Sequence, residues 1–373
     1  MSIVSHAKLK VGVAEGDITP PVGVANRLWG AAKHNTANGI HRPLRACVWV
    51  IKDDITKVLV GMDGSWWQGK KLEFICRKAI ASAAQTRPDQ VLLCLSHSHA
   101  AVPLLDEVPD GPGSKLLNSY LHNIAEQLFN ITKIAASECY SSILQATYGC
   151  CSLAHHRDQK EGKGWIVGHD PHSLADQTIA IARLCHKDGS LRSVLVNYAC
   201  HPTTLAWKNR LISPDFIGSM RENITQEHGV SVLFVQGASG DLAPARHHTN
   251  DPEVAEINGK CLALSVRSAI STLPPIGQKL KFKEVISSGA EIGVWAPRKV
   301  ELTSKSLIEH TSSELQWRKD FESKVDLIKA IEITSGPKRE RLQRRLRIRE
   351  QFGDKETIKI EAWGGRFGNI YFL

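Results

Sequence analysis

Three short stretches concentrate the residues that could do chemistry: Ser96-His97-Ser98-His99, His201-Pro202, and the glycine-rich run "GASGDLAP" from 237 to 244. Each follows an apolar run suited to a buried strand, "VLLCL", "SVLVNYAC" and "VSVLFVQ" respectively. Side chains alternate faces along a strand, so His97 and His99 are expected on one side at the end of a sheet. A single histidine after a strand is ordinarily a hydrogen-bonded core residue. A His-x-His pair with a third histidine on a neighbouring strand has the donor set of a zinc site, because neutral imidazole suits that ion. His97 and His201 are therefore expected to share one divalent ion.

The elements that must position these residues alternate in type, which predicts an α/β protein: a mixed β-sheet core flanked by helices. "KVGVAEGDITPP" reads as a strand leaving into a Pro-Pro loop. "LRACVWVIKDDITKVLVGMDG" reads as a hairpin, and "KKLEFICRKAIASAAQT" as a helix stopped before Pro88. Helices are expected over about 115–136, 214–228 and 252–272, a strand over 142–149, and a hairpin over 176–200 turning at Asp188-Gly189. After about 297 the chain turns charged and is expected to be helical before "TIKIEAWGG" and "FGNIYFL", which read as strands. No repeat and no linker interrupts residues 1–373, so one domain is expected.

Composition narrows the class. Of 373 residues 42% are hydrophobic and 23% charged, an ordinary globular balance without a run long enough to span a bilayer. The first residues carry no apolar h-region. Nine irregularly spaced cysteines then read as reduced thiols of a cytoplasmic protein. The net charge of +9 owes much to "PKRERLQRRLRIRE", residues 337–350. At helical spacing Leu342, Leu346 and Ile348 form its apolar edge and the arginines a solvated face. No aromatic interleaves with them to stack a base, so no nucleic-acid partner is expected.

Seven segments taken together, "GDITPP" (16–21), "GIHRPLRA" (39–46), "SHSHA" (96–100), "AHHRD" (154–158), "NYACHPTT" (197–204), "ISPDFIG" (212–218) and "QGASGDLAP" (236–244), resemble the N-terminal catalytic domain of the neutral/alkaline non-lysosomal ceramidases. That family comprises zinc-dependent amidases that cleave ceramide, a sphingolipid, to sphingosine and a fatty acid. The resemblance implies His97 and His201 as zinc ligands and His99 as a neighbouring histidine that orients water or moves a proton. It implies Arg157 facing the substrate's polar end, with Gly240 and Asp241 in the signature loop beside the metal and Asp215 in the matching aspartate turn. Catalytic roles thus fall to His99, Arg157 and Asp241, and substrate contacts to Arg157, Asp215 and Gly240. The function implied is hydrolysis of a C–N bond in an N-acyl lipid or other small amide by metal-activated water.

Two departures qualify what the resemblance implies. Where the ceramidases carry a serine before the signature proline, this chain has Ala243, so no acyl-serine can form there. The family's remaining zinc ligands, a glutamate and a tyrosine, belong to segments beyond a strand resembling "FGNIYFL", where this sequence ends at Leu373. Glu361 and Tyr371 have the right types at the wrong positions. The chain is thus expected to be C-terminally incomplete relative to the family, without its β-sandwich domain and with a weakened zinc shell. That leaves a second expectation, a catalytically silent binding protein of the same fold. A third, an amidohydrolase barrel, also uses His-x-His, but there the pair follows the first strand, whereas here several strands precede it. Trp66 and Trp67 in "MDGSWW" sit at another strand end, as structural aromatics or as walls of an acyl pocket. His155 and His156, adjacent in "AHHRD", are expected in a loop. Oligomeric state has no signature in the sequence.

Overall fold

The computed structural model describes residues 4–316, 321–353 and 357–373. Eight strands form its main sheet: β1 (Ser5–Asp17), β2 (Arg45–Lys52), β3 (Lys57–Met62), β4 (Val91–Leu95), β5 (Tyr140–Cys150), β6 (Thr178–Cys185), β7 (Leu191–Tyr198) and β8 (Ser231–Gln236). Their order across the sheet is β8-β7-β6-β5-β1-β2-β3-β4. The two outermost pairs, β3 with β4 and β7 with β8, are parallel, and the others antiparallel. Each expected strand and hairpin of the first 250 residues is present within a few residues of its sequence limits.

The sheet folds over on itself, because β1, β2, β3, β5, β6 and β8 all carry apolar side chains that need cover. Ala7, Leu9, Val11, Trp49, Leu59, Leu144, Leu184 and Leu233 make one buried cluster between the two halves. Inside it the indole N–H of Trp49 donates to Ser193 Oγ at 3.0 Å, joining β2 to β7. The outer face of β1–β4 packs on α1 (Lys70–Ala84) and α2 (Ser114–Ser137), and that of β6–β8 on α3 (Phe216–His228) and α4 (Pro252–Ser271). The result is a mixed α/β core of four layers, helix, sheet, sheet, helix. At Gly61 the halves meet closely: a Cβ there would sit 2.5 Å from the carbonyl oxygen of Phe234.

After α4 the expectation of a charged, helical region from about 297 holds only in part. Strands β9 (Gln278–Ser287) and β10 (Glu291–Lys299) form an exposed hairpin. β11 (Ser306–Gln316) then pairs with β12 (Thr357–Phe367), which pairs with β13 (Ile370–Phe372). Between these lie α5 (Lys324–Glu332) and α6 (Gly336–Phe352). Over β11, cross-strand pairing with β12 outweighed the local charge pattern that suggested helix, whereas α5 and α6 are the helices expected. On α6 the expected apolar edge is also revised: Ile348 is 38% exposed, while Arg349 is 9% exposed and donates to the carbonyls of Phe321 and Glu322. No helix among the described residues is long and apolar enough to cross a membrane.

Candidate metal and active site

Strand β4 stops at Leu95, so His97 and His99 lie in the irregular segment beyond it rather than on a strand. The serines explain the alternation in "SHSH". Ser96 N–H donates to the Met62 carbonyl and Ser98 N–H to the Gly64 carbonyl, at 2.9 and 2.8 Å. Ser98 Oγ reaches the carbonyl of Ser213 at 2.7 Å. Both serines are buried, and they fasten the segment between the end of β3 and the approach to α3. His97 takes φ +64°, an uncommon conformation for a residue with a Cβ, and the two rings reach one side by that twist rather than by strand alternation.

His201 arrives from the other half of the fold, just beyond β7. Its Nδ1 donates to the carbonyl of Ser239 at 3.1 Å, which leaves Nε2 as the lone-pair nitrogen. That Nε2 lies 3.0 Å from Nε2 of His99, and ring centroids of His97, His99 and His201 are 4.7 to 5.3 Å apart. Ligand atoms of all three fall within 4.8 Å of one another. Tetrahedral zinc with bonds of about 2.0–2.1 Å sets its donors roughly 3.3 Å apart, close to the His99–His201 separation. Nδ1 of His99 is buried without a protein partner. Burial holds all three imidazoles below their ordinary protonation range, His201 down to about 3, with the Arg157 charge adding to the effect. A neutral, lone-pair-bearing set of three nitrogens fits a divalent metal. Sequence reasoning named His97 and His201 as the metal-holding pair; the geometry adds His99 as a third candidate donor. Among the described residues no aspartate, glutamate or cysteine joins the group.

The other expected residues are placed as follows. The guanidinium of Arg157 donates from Nε and Nη2 to the Gly240 carbonyl, at 3.0 and 2.7 Å, so Gly240 anchors Arg157. Asp241 is exposed, with its carboxylate 3.6 Å from Nε2 of His156. Asp215 is fully buried and accepts from the N–H groups of Leu205 and Phe216 at 2.9 and 2.8 Å. It therefore ties the loop after His201 to the start of α3, with no surface open to a substrate. His155 and His156 are not in a loop: Ala154–His156 is a short strand paired with Leu242–Pro244, which buries Ala243 opposite His155. Glu361 lies 3.8 Å from His310, and Tyr371 is 71% exposed.

Aromatic rings wall the histidine group. Trp66 stands 5.5 and 5.0 Å from His97 and His99, and Trp29 lies 5.0 Å from His99. Trp67, by contrast, packs against the core beneath α1 and α2. Trp29 also meets Trp207 and His248, at 6.0 and 5.3 Å. Of these the sequence singled out Trp66 alone. The doubled histidine of "ARHHTN" could have flagged His248, but nothing local marks Trp29. Its loop is held by α6: Arg344 donates to the Leu28 carbonyl at 3.3 Å and Arg27 pairs with Glu340 at 2.5 Å.

A folded-over mixed sheet between two helical layers, with histidines converging from both halves, defines the class by architecture: this is the ceramidase fold. A solved ceramidase complexed with C2 superimposes at a TM-score of 0.60 with 17% identity, over 98% of this chain and 62% of that one. The neutral ceramidase from Pseudomonas aeruginosa gives 0.59 with 16% identity, over 98% and 61%. The chain thus spans about three fifths of the length of the solved structures it matches. No family model and no curated protein matches the sequence. At this identity the likeness is one of fold, and it agrees with the resemblance carried by the seven motifs.

Proposed function

We propose that the protein is a zinc-dependent hydrolase of C–N amide bonds, acting on an N-acyl, lipid-like substrate. The observation that carries this reading is the meeting of His97, His99 and His201, from two halves of the sheet, in one neutral donor set. These three residues would hold the ion. A bound divalent metal would polarise a carbonyl oxygen and acidify water, which are the two needs of a reaction between a poor electrophile and a poor nucleophile. Ala243 agrees with this, because a site without the serine has no acyl-enzyme route there. Arg157, fixed by Gly240, keeps Nη1 free of the anchoring bonds and offers a cation to the oxygen on which charge develops. Trp29, Trp66 and Trp207 supply the apolar walls that an acyl chain requires.

The test is metal content and hydrolysis measured together. The wild-type chain should carry about one zinc per molecule, and the His97→Ala/His201→Ala double variant close to none, with amine release from N-acyl amides lost in parallel. Full zinc occupancy in the double variant would refute the proposed ligand set. Zinc-loaded wild type that releases no amine from short- or long-chain N-acyl amides would leave a metal-binding protein without catalysis.

A further inference from the structure

The hairpin β9–β10 is an anomaly on the surface. Past Gln278 every residue of β9 is exposed, and only Val294 and Ala296 of β10 are partly covered. Yet its side chains are not those of a solvated hairpin. Phe282 stands opposite Trp295 with rings 6.0 Å apart, Leu280 opposite Pro297, and Ile286 opposite Ile292. Val285 adds a further exposed apolar side chain beside the tip. A lone two-stranded hairpin is marginal in water, and monomers rarely leave so many apolar side chains of one element uncovered, here on both of its faces.

Charge is graded along the same hairpin. Its base carries Lys279, Lys281, Arg298 and Lys299, and in register Lys279 lies directly opposite Arg298, a like-charge pair that repels unless an anion intervenes. Lys279, Lys281 and Lys299 also line a cavity of about 300 Å³ at the foot of the hairpin, with Glu301 as its one carboxylate. His6 lies in the same wall, 5% exposed, with Nε2 unpartnered. Over residues 278–299, five cationic side chains face two glutamates, and Lys283 is already paired with Glu284 at 2.5 Å.

We propose that this hairpin docks the protein on anionic lipid bilayers: the distal apolar half enters the interface while the basal lysines and their cavity take lipid phosphates. Aromatic and aliphatic side chains beyond a ring of lysines and arginines form the pattern that interfacial elements present to a negatively charged leaflet. The charge count favours a bilayer over a second copy of the chain, since a partner hairpin would bring the same cationic excess. The surface is separate from the histidine group and does not depend on the hydrolase reading.

The experiment is cosedimentation of the full chain with phosphatidylcholine vesicles, with and without about one third phosphatidylserine. Binding should be at least about tenfold tighter to the anionic vesicles and should weaken with salt. Phe282→Ser/Trp295→Ser should lose about tenfold in affinity, and Ile286→Ser/Ile292→Ser, at the tip, a comparable amount. Lys279→Ser/Lys281→Ser/Lys299→Ser should erase the preference for phosphatidylserine. Far-UV circular dichroism matching wild type shows that each variant is folded. The proposal is overturned by wild type that binds neither vesicle, by binding that folded hairpin variants leave unchanged, or by a wild-type dimer that Phe282→Ser/Trp295→Ser dissociates. Neither zinc content nor amide hydrolysis enters these readouts, so failure here leaves the catalytic reading untouched.

Discussion

At the scale of single residues, the site depends on groups that never touch a substrate. Asp215 is the clearest case. Burial lifts its carboxyl from an ordinary 3.8 to about 6 against the opposing pull of the backbone N–H groups it accepts from. The folded protein therefore keeps this proton at a pH where the unfolded chain has lost it. Its stabilising share is complete below about 3.8 and is lost as pH rises through about 6, a swing of at most roughly 3 kcal/mol. Urea denaturation at pH 4 and pH 6.5 should show a fall in stability that is smaller in Asp215→Asn than in wild type. Equal pH slopes in the two proteins would mean that Asp215 titrates normally. The serines of "SHSH" teach a related lesson: Ser96 and Ser98 anchor the segment, and the histidines are free to face the site because of them.

At the scale of elements, the crossing of β3 over β8 fixes how near the two histidine-bearing halves come. Gly61 allows it, since any Cβ would press on the backbone of Phe234. Gly61→Ala is expected to cost about 1–3 kcal/mol by overpacking, read as a lower urea midpoint at unchanged slope. If the proposed zinc site is correct, its affinity should fall as well, because separating β3 from β8 moves the segment after Met62 that holds Ser96 and Ser98. A variant with wild-type stability would show that the backbones part there without strain. The basic helix α6 is a second element whose place its composition hides. Its arginines are not all solvated: Arg344 braces the loop that sets Trp29 against His99, and Arg349 grips two carbonyls.

Across the whole molecule, a buried ion pair stitches the layers. Arg221 of α3 meets Asp63, just beyond β3, at 2.5 Å with both side chains almost fully enclosed, and Asp63 also accepts from Arg45 N–H at 2.8 Å. Such a pair adds little compared with well-packed apolar residues, but breaking it strands a charge in the interior. Arg221→Ala should therefore destabilise the protein by about 3–5 kcal/mol in chemical denaturation, whereas Arg221→Met/Asp63→Leu should recover much of that loss. A loss below about 1 kcal/mol in the single variant would show that water reaches Asp63.

The sequence by itself determined the elements of the main sheet and all four of its covering helices to within a few residues of their observed limits, because period and turn chemistry are local. It also marked His97, His99 and His201 through the reactive residues that end apolar strands. The fold-back of the sheet was not legible, since it depends on Gly61 meeting Phe234 across more than 170 residues of chain. For the same reason the closing of His99 on His201, the Trp29–Trp207–His248 wall and the bracing by α6 were decided only by tertiary structure. Those contacts join residues with no shared periodicity, and each exists only once two separately formed layers are pressed together. The exposed hairpin β9–β10 was left unassigned for another reason: its apolar and charged residues follow no clean period, and only cross-strand pairing sets Phe282 opposite Trp295 and Lys279 opposite Arg298.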